Sequence, residues 1–483
     1  MASSVPGPNE YLVREVDVPV QALSRFQPII GSDRYSELRR TAAVAAMGLR
    51  GRTIWNFNST ASGGGVAEML EVLVGYIKDV GIDIRWHVIS GDADFFSITK
   101  RVHNRLHGIS GDAGELGAIE VEHYASVTAA NASSARTLVQ RGDVVFLHDP
   151  QTAGMAAALA ETGAHVVWRC HIGREGTNRW TDQAWSFLRP HLADCEAYVF
   201  SRRQYVPRWM DASRVHIIPP SIDPFSPKNQ EMTDVDVIRS LQRIGLVHQR
   251  GSSPPGTFVR SDGRPGLIER PAAIIEDGPP LRPEDRLVIQ VSRWDRLKDM
   301  KGVMEGFALT DPGRLDAHLA LVGPQMDAVS DDPEGVAVFD ECASAWEALP
   351  SESRRRVRLV TLPMDDVDEN AAMVNALQRH ATIVVQKSLM EGFGLTVAEG
   401  MWKGRAVVAS RVGGIIDQIA SGTGILLDDP ADLVEFGRTL SRLLTHPAEI
   451  AQLGERARQH VLDHYVGDKH LEGYAALIEG LGP

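Results

Sequence analysis

The polarity of this chain runs in two long series, each alternating short apolar runs with helix-length amphipathic stretches. Thr53–Asn58 (TIWNFN) reads as a buried strand, and Ser59–Gly65 (STASGGG) as the turn that ends it. The next stretch, VAEMLEVLVGYIKDVG, places Val66, Met69, Leu70, Leu73, Val74 and Ile77 on one helical face. Further runs follow at Ile84–Ile89, Val144–Leu147, His165–Cys170, Ala197–Ser201 and Val215–Ile218, most of them separated by helix-length spacers. Upstream, Tyr11–Val20 and Ser36–Leu49 read as a strand followed by a helix. Strands that alternate with helices predict a mostly parallel sheet covered on both faces.

The segment Pro219-Pro220-Ser221-Ile222-Asp223-Pro224 breaks this order. From there to about Pro283 the chain is rich in Gly, Pro and Ser, with one helical pattern at Val235–Ile244, and reads as an insertion over about 229–283. A second series begins at Leu287–Val291 and continues through Ala317–Val322, Val357–Leu362, Ala381–Val385, Ala406–Ala409 and Gly424–Leu427. From Ala431 the pattern is helical. The expected domains are therefore 1–222, 223–462 and a C-terminal helix, 463–483, that packs back toward the N-terminal domain.

A length of 483 residues suits two such domains, since single cores stop growing at about 250–300 residues. The formal net charge of −13 excludes a general binder of nucleic acid or anionic membrane, so an anionic ligand needs a local site. Cys170, Cys195 and Cys342 lie far apart with no CxxC pair, which fits a reducing compartment. The opening residues MASSVPGPNE carry no basic-then-apolar leader, and no stretch is apolar long enough to span a bilayer. A cytoplasmic protein is expected.

Three segments carry candidate chemistry. Gly63, Gly64 and Gly65 stand where a strand turns into a helix, where backbone N–H groups and the positive helix end can face a phosphate. The same loop also reads as an ordinary tight turn. Ser292-Arg293-Trp294-Asp295-Arg296-Leu297-Lys298 follows the strand LVIQV, so Arg293 and Lys298 project from the end of a parallel strand, where doubly wound domains bind ligands. Two such cations suit a diphosphate, with no metal needed. The plain reading is a solvated loop, its cations paired with Asp295 or Asp299. Glu391-Gly392-Phe393-Gly394-Leu395-Thr396-Val397-Ala398-Glu399 follows another apolar strand, ATIVVQ. Its glycines expose backbone donors and a helix starts near Leu395. Glu391 can then touch sugar hydroxyls, and Glu399, one turn into the helix, a ribose diol. The plain readings are a cap for Glu391 and a dipole-stabilising surface residue for Glu399.

Glu391 through Glu399, with seven residues between the two carboxylates, resembles the signature of retaining family 4 glycosyltransferases of GT-B fold. The glycine loop and the Arg293…Lys298 pair stand where that family carries its phosphate contacts. NSTASGGGVAEML, HDPQTAG, WRCHIG, IPPSIDPFSPKN and QKSLMEGFGLTVAEGMWKGRAVVAS narrow the likeness to the trehalose glycosyltransferring synthases, and fungal trehalose phosphorylases share much of the pattern. The fold implied is α/β, two Rossmann-like doubly wound parallel-sheet domains with an interdomain cleft. The N-terminal domain would take the acceptor and the C-terminal domain the nucleotide sugar.

The resemblance implies that Gly63, Gly64, Gly65, Arg293 and Lys298 hold the diphosphate and Glu399 the ribose. Glu391 and the backbone of Gly392, Phe393, Gly394, Leu395 and Thr396 would hold the transferred glucose, and His171 its C6 hydroxyl. Asp149 and Gln151 would face the acceptor. Where relatives often carry an Asp after the CHI of the histidine motif, this chain has Gly173. The catalytic set is then Arg293, Lys298, Glu391 and His171. The implied activity is retaining transfer of glucose from UDP- or ADP-glucose to glucose, forming trehalose, with NDP-glucose, glucose and trehalose as partners, no cofactor required, and a homodimer left open.

Two motifs are set aside. Asp92-Ala93-Asp94 spells a DxD, which elsewhere holds a divalent ion on a nucleotide sugar; Asp92 and Asp94 are assigned instead to a loop near the acceptor, with no metal. His103 and His107 share a helical face but have no third ligand. The rival readings are a trehalose phosphorylase, another sugar-nucleotide transferase of the same family, and an inactive sugar-nucleotide-binding regulator on the same scaffold.

Overall fold

The computed structural model describes residues 12–61, 65–248, 254–310, 315–325 and 333–482. They form two compact units, one of Met1–Ser221 with Gly467–Pro483, the other of Ile222–Val466.

The first unit is built on seven strands: β1 (Arg14–Glu15), β2 (Thr53–Asn58), β3 (Asp83–Val88), β4 (Val144–His148), β5 (His165–Cys170), β6 (Ala197–Phe200) and β7 (Val215–Ile217). Their order is β1-β3-β2-β4-β5-β6-β7, parallel throughout except for β1. Trp55 and Phe57 enter one core with Val145, Leu147 and Trp168, while Ile54 enters the opposite core with Phe146 and Val167. This period of two, apolar on both faces, is why the strands read as continuous buried runs. The strand expected over Tyr11–Val20 is reduced to two ladder residues, Arg14 opposite Val88 and Glu15 opposite His87. Pro19, which has no N–H to give, follows closely. The helix Gly467–Gly480 closes this unit: Tyr474, Leu477 and Ile478 join its second core, and Arg34 holds Asp468 with bonds of 2.5 and 2.8 Å.

The second unit repeats the plan with β10 (Ala273–Ile275), β11 (Arg286–Val291), β12 (Ala317–Pro324), β13 (Val357–Leu362), β14 (Ile383–Gln386), β15 (Ala406–Ser410) and β16 (Ile425–Leu427), after a hairpin of β8 (Gly256–Val259) and β9 (Pro265–Ile268). The sheet order is β10-β13-β12-β11-β14-β15-β16, with β10 alone antiparallel.

The insertion is therefore more ordered than its composition predicts. Besides the helix Asp234–Ile244 it supplies the hairpin and an edge strand. It is fastened to the helix Val367–His380, whose acidic first turn attracts arginine: Arg260 forks onto Asp366 at 3.0 and 2.7 Å, and Glu369 accepts the N–H groups of Glu269 and Arg270 at 2.7 and 2.8 Å. A carboxylate cluster at a helix N-terminus is favoured by the helix dipole, and the arginines screen its self-repulsion.

In each sheet the strand order reverses once near the middle, between β2 and β4 in the first and between β11 and β14 in the second. The crevice beyond the carboxyl ends of such a pair is where open α/β sheets bind ligands.

Candidate active site

In the second unit the loops after β11 and β14 flank the switch point. Lys298 ends the short turn Arg296–Lys298, and its ammonium pairs with Oε2 of Glu391, which also accepts from Ser388 Oγ at 3.2 Å. Leu389 N–H donates to the Leu297 carbonyl at 2.8 Å, so backbone as well as side chains tie the two loops. Beneath them lies a buried polar layer. Gln290 gives its amide to the Lys298 carbonyl at 2.7 Å and takes the Lys387 N–H at 2.9 Å. Gln386 gives to Ser388 Oγ and takes from Thr396 Oγ1, both at 2.9 Å. Lys387, fully buried, pairs with Asp299, the left-handed N-cap of the helix Met300–Ala308. Each buried donor meets an acceptor, which fixes the loops before any ligand arrives.

Arg293 lies differently. Its side chain is 66% exposed and meets Asp295 at 3.3 Å, whereas the Lys298 side chain is 17% exposed. The two predicted cations share a loop, but one is seated and the other is in solvent.

The turn Glu391–Gly394 leads into the helix Leu395–Trp402. Gly394 caps it at φ +79°, and a Cβ there would stand 2.9 Å from Glu391 Cγ, so both backbone and space demand glycine. The buried Gln418 braces the turn, accepting the Ala398 N–H at 3.0 Å and donating to the Phe393 carbonyl. Phe393 is buried; Gly392, Leu395 and Thr396 are half-buried. Glu399 is buried inside the helix with Lys228 Nζ 3.8 Å from its Oε1. Lys403 lies one turn further on, bonded to Asn229 Oδ1 at 3.0 Å and to the Glu399 carbonyl at 3.2 Å, and burial pushes its ammonium down to about 7. Glu399 is thus no surface residue: it sits between two lysines.

In the first unit, Gly63 and Gly64 lie outside the described residues, and Gly65 opens the helix Gly65–Asp79. Beyond β4 and β5 the groups crowd together. His148 Nδ1 lies 3.0 Å from His171 Nε2, and His148 Nε2 lies 3.1 Å from Asn56 Oδ1. Asp149, at φ +62°, accepts the His171 N–H at 2.8 Å and is pushed up to about 7 by burial, against the pull of that bond and of Arg169. Burial pushes His148 down to about 3 and His171 well below the ordinary histidine range, with the charge of Arg169 adding to both. Gln151 is half-buried on the same turn, Asp149–Thr152.

Asp92 stands at a helix start in the same unit. It caps the helix Ala93–Leu106, accepting the Phe95 N–H at 2.8 Å, and meets His123 Nε2 at 2.9 Å; Asp94 is exposed in the first helical turn. The neighbouring Tyr124 donates to the Pro150 carbonyl at 2.6 Å, so one helix holds both the Asp92 cap and the Asp149 turn. His103 and His107 stack with ring centroids 5.0 Å apart, and no group of three ligating side chains suited to a metal occurs among the described residues. Gly173 has a packing reason: a Cβ there would meet the Tyr205 ring at 2.3 Å.

Polar residues inside apolar runs were the missed signal. Gln290 in LVIQV, Gln386 and Lys387 after IVV, and Arg169 in VVWRC all end buried around the sites. Gln418 and Lys403 carry no local pattern that marks them.

A family model described as trehalose synthase, N-terminal domain, matches residues 56–207, and one described as glycosyl transferases group 1 matches residues 274–460. The trehalose synthase of Rubrobacter xylanophilus is 32% identical over 461 residues, covering 94% of this chain and 96% of the relative. The chain belongs to the trehalose synthase family of glycosyltransferases. Trehalose phosphorylase of Pleurotus pulmonarius is more distant, 23% identical over 88% of this chain and 57% of that protein. Among solved structures, α,α-trehalose 6-phosphate synthase from Burkholderia multivorans superposes with a TM-score of 0.62 at 13% identity, over 89% of this chain and 96% of that one. That likeness shows the fold, GT-B, with its two doubly wound α/β domains. This family member is accordingly an enzyme of trehalose-related glycosyl transfer. Among the described residues, no helix is long and apolar enough to cross a membrane.

Proposed function

We propose that this enzyme transfers glucose from UDP- or ADP-glucose to free glucose, with retention at the anomeric carbon, and forms trehalose reversibly. The observation that carries the chemistry is the Lys298–Glu391 pair at the switch point of the second sheet. A diphosphate would draw Lys298 away from Glu391. The lysine then neutralises charge on the leaving group, and the carboxylate it releases accepts sugar hydroxyls. N–H groups at the start of the helix Leu395–Trp402 add positive potential to the same place. Glu399, already facing Lys228, grips the ribose, and Arg293 swings in from solvent to complete the phosphate contacts.

On the first unit, His171 touches the transferred glucose near its C6 hydroxyl, and Asp149 and Gln151 hold the acceptor. Retention follows from attack on the face that the diphosphate leaves, with its oxygen taking the acceptor proton, so no side-chain nucleophile is needed. The choice of substrates is supported by the near full-length likeness to a trehalose synthase.

The test is to incubate the protein with UDP-glucose or ADP-glucose and glucose and to identify the product by NMR. The reading requires α,α-trehalose and a nucleoside diphosphate in equal amounts. Cleavage of trehalose by inorganic phosphate with no nucleotide present would make the enzyme a phosphorylase instead.

A further inference from the structure

Arg169 is a fully buried cation on β5, and its charge is spent in an uncommon place. Its Nη2 donates to the Ile218 carbonyl at 3.1 Å, its guanidinium carbon stands 5.3 Å over the Tyr474 ring, and its Nε faces His171 Nδ1 at 3.4 Å. From that point three contacts run in series: Arg169 to His171, His171 to His148 at 3.0 Å, and His148 to Asn56 at 3.1 Å.

We infer that Arg169 is a positioning residue: by giving its Nε–H to His171 Nδ1, it fixes His171, and through it His148, as tautomers protonated on Nε2. The argument is one of donor counting. A guanidinium carries donors only and never loses its charge in a protein, so the His171 nitrogen that faces it must be a bare acceptor. The proton of a neutral His171 is then on Nε2 and points at His148 Nδ1. That nitrogen is bare in turn, and the proton of His148, on Nε2, points at Asn56 Oδ1. The reverse order requires an N–H on His171 Nδ1, which would set donor against donor at Arg169.

Burial keeps His171 uncharged, and the charge of Arg169 adds to that effect. The groups that face it are Arg169, His148 and His470, with Asp149 on its backbone N–H. Both other imidazoles are buried and depressed, each to about 3, so one arginine carries the positive charge of the cluster. An imidazolium at His171 would put a second cation beside it with no bare nitrogen left for Arg169. His171 therefore acts on a sugar as a neutral hydrogen-bonding group of fixed polarity and does not shuttle protons. This functional consequence rests on the proposed contact between His171 and the transferred glucose. The tautomers do not.

Two measurements on the full chain separate these claims. Long-range ¹H–¹⁵N correlation spectra of protein labelled with ¹⁵N-histidine, assigned with His171→Gln and His148→Gln, should show bare Nδ1 and protonated Nε2 for both rings, unchanged from about pH 5.5 to about pH 8. An Nδ1–H tautomer at either ring overturns the inference. In the same spectra Arg169→Gln, whose amide can either donate or accept, should populate the Nδ1–H tautomer of His171. Arg169→Lys, which restores a charged donor, should return most of the Nε2–H form. Tautomers unchanged in Arg169→Gln would make Arg169 merely structural and contradict the inference. Should Arg169→Gln not fold, the spectra of the unaltered protein decide alone. Should the tautomers be as stated while His171→Gln transfers glucose normally, the sugar contact is wrong and the positioning stands.

Discussion

Lys298 and Glu391 meet as an ion pair across the carboxyl ends of β11 and β14, the two neighbours at which the second sheet reverses its strand order. Ninety-odd residues of sequence separate them, and their side chains are 17% and 11% exposed. Replacing Lys298 by Ala should lower kcat by about 10²–10³-fold, the usual cost of removing one group that stabilises leaving-group charge. The melting temperature should fall by several degrees at most, since the pair keeps some contact with water and breaking it costs less than the about 3–5 kcal/mol of a fully buried one. Turnover within a factor of three of the unaltered enzyme would remove Lys298 from the mechanism.

Gly394 sets where Glu391 points. In Gly394→Ala the new methyl group must be accommodated at φ +79° and against Glu391 Cγ, at a cost of about 1–2 kcal/mol in stability. The displaced carboxylate should lose at least tenfold in kcat/KM. Thermal melts and steady-state kinetics on the same preparation check both.

Glu399 separates binding from chemistry. If it holds the ribose, Glu399→Gln should raise KM for the nucleotide sugar by about tenfold and leave kcat within about threefold, because the ribose is remote from the bond that breaks. Lys228, 3.8 Å away, loses one charged contact in the same variant. A fall in kcat with KM unchanged would place Glu399 nearer the reacting centre.

Asp149 predicts a dependence of stability on pH. Its carboxyl titrates near 7 in the folded enzyme and at about 4 when unfolded, so between those values the native state holds the extra proton. Stability must then fall as pH rises across that window, and the penalty is complete above 7. Asp149→Asn, which keeps an acceptor for the His171 N–H, removes the penalty. Its melting temperature should exceed that of the parent by about 3 °C or more at pH 8 and by much less at pH 5. Equal differences at both values would show that Asp149 is ionised throughout without cost.

The sequence was most legible where one face pattern dominates. The strands of both parallel sheets stand out because burial on two sides leaves them almost purely apolar, and Thr53–Asn58 and Val357–Leu362 have the bounds their residues predict. The edge was less legible. β10 pairs along one side only and β1 is two residues long, so neither needs a distinctive composition. The Glu391–Glu399 turn was visible from its glycines and carboxylates, and Lys298 from its place after an apolar run. What could not be read is which charge is seated and which is loose, as Arg293 and Lys298 differ only in their neighbours. Lys228 reaches Glu399 from a loop far away in sequence, and the order Arg169–His171–His148–Asn56 crosses the ends of three strands, β5, β4 and β2. No local pattern encodes such a meeting.

The most direct test of the account is a crystal structure of the enzyme with a bound nucleoside diphosphate, UDP or ADP. The account predicts the diphosphate beyond β11 and β14, with Lys298 Nζ on a phosphate oxygen, its bond to Glu391 broken, and Arg293 drawn in from solvent. A diphosphate bound away from this switch point, or one seated there with the Lys298–Glu391 pair intact and Arg293 still exposed, would contradict it.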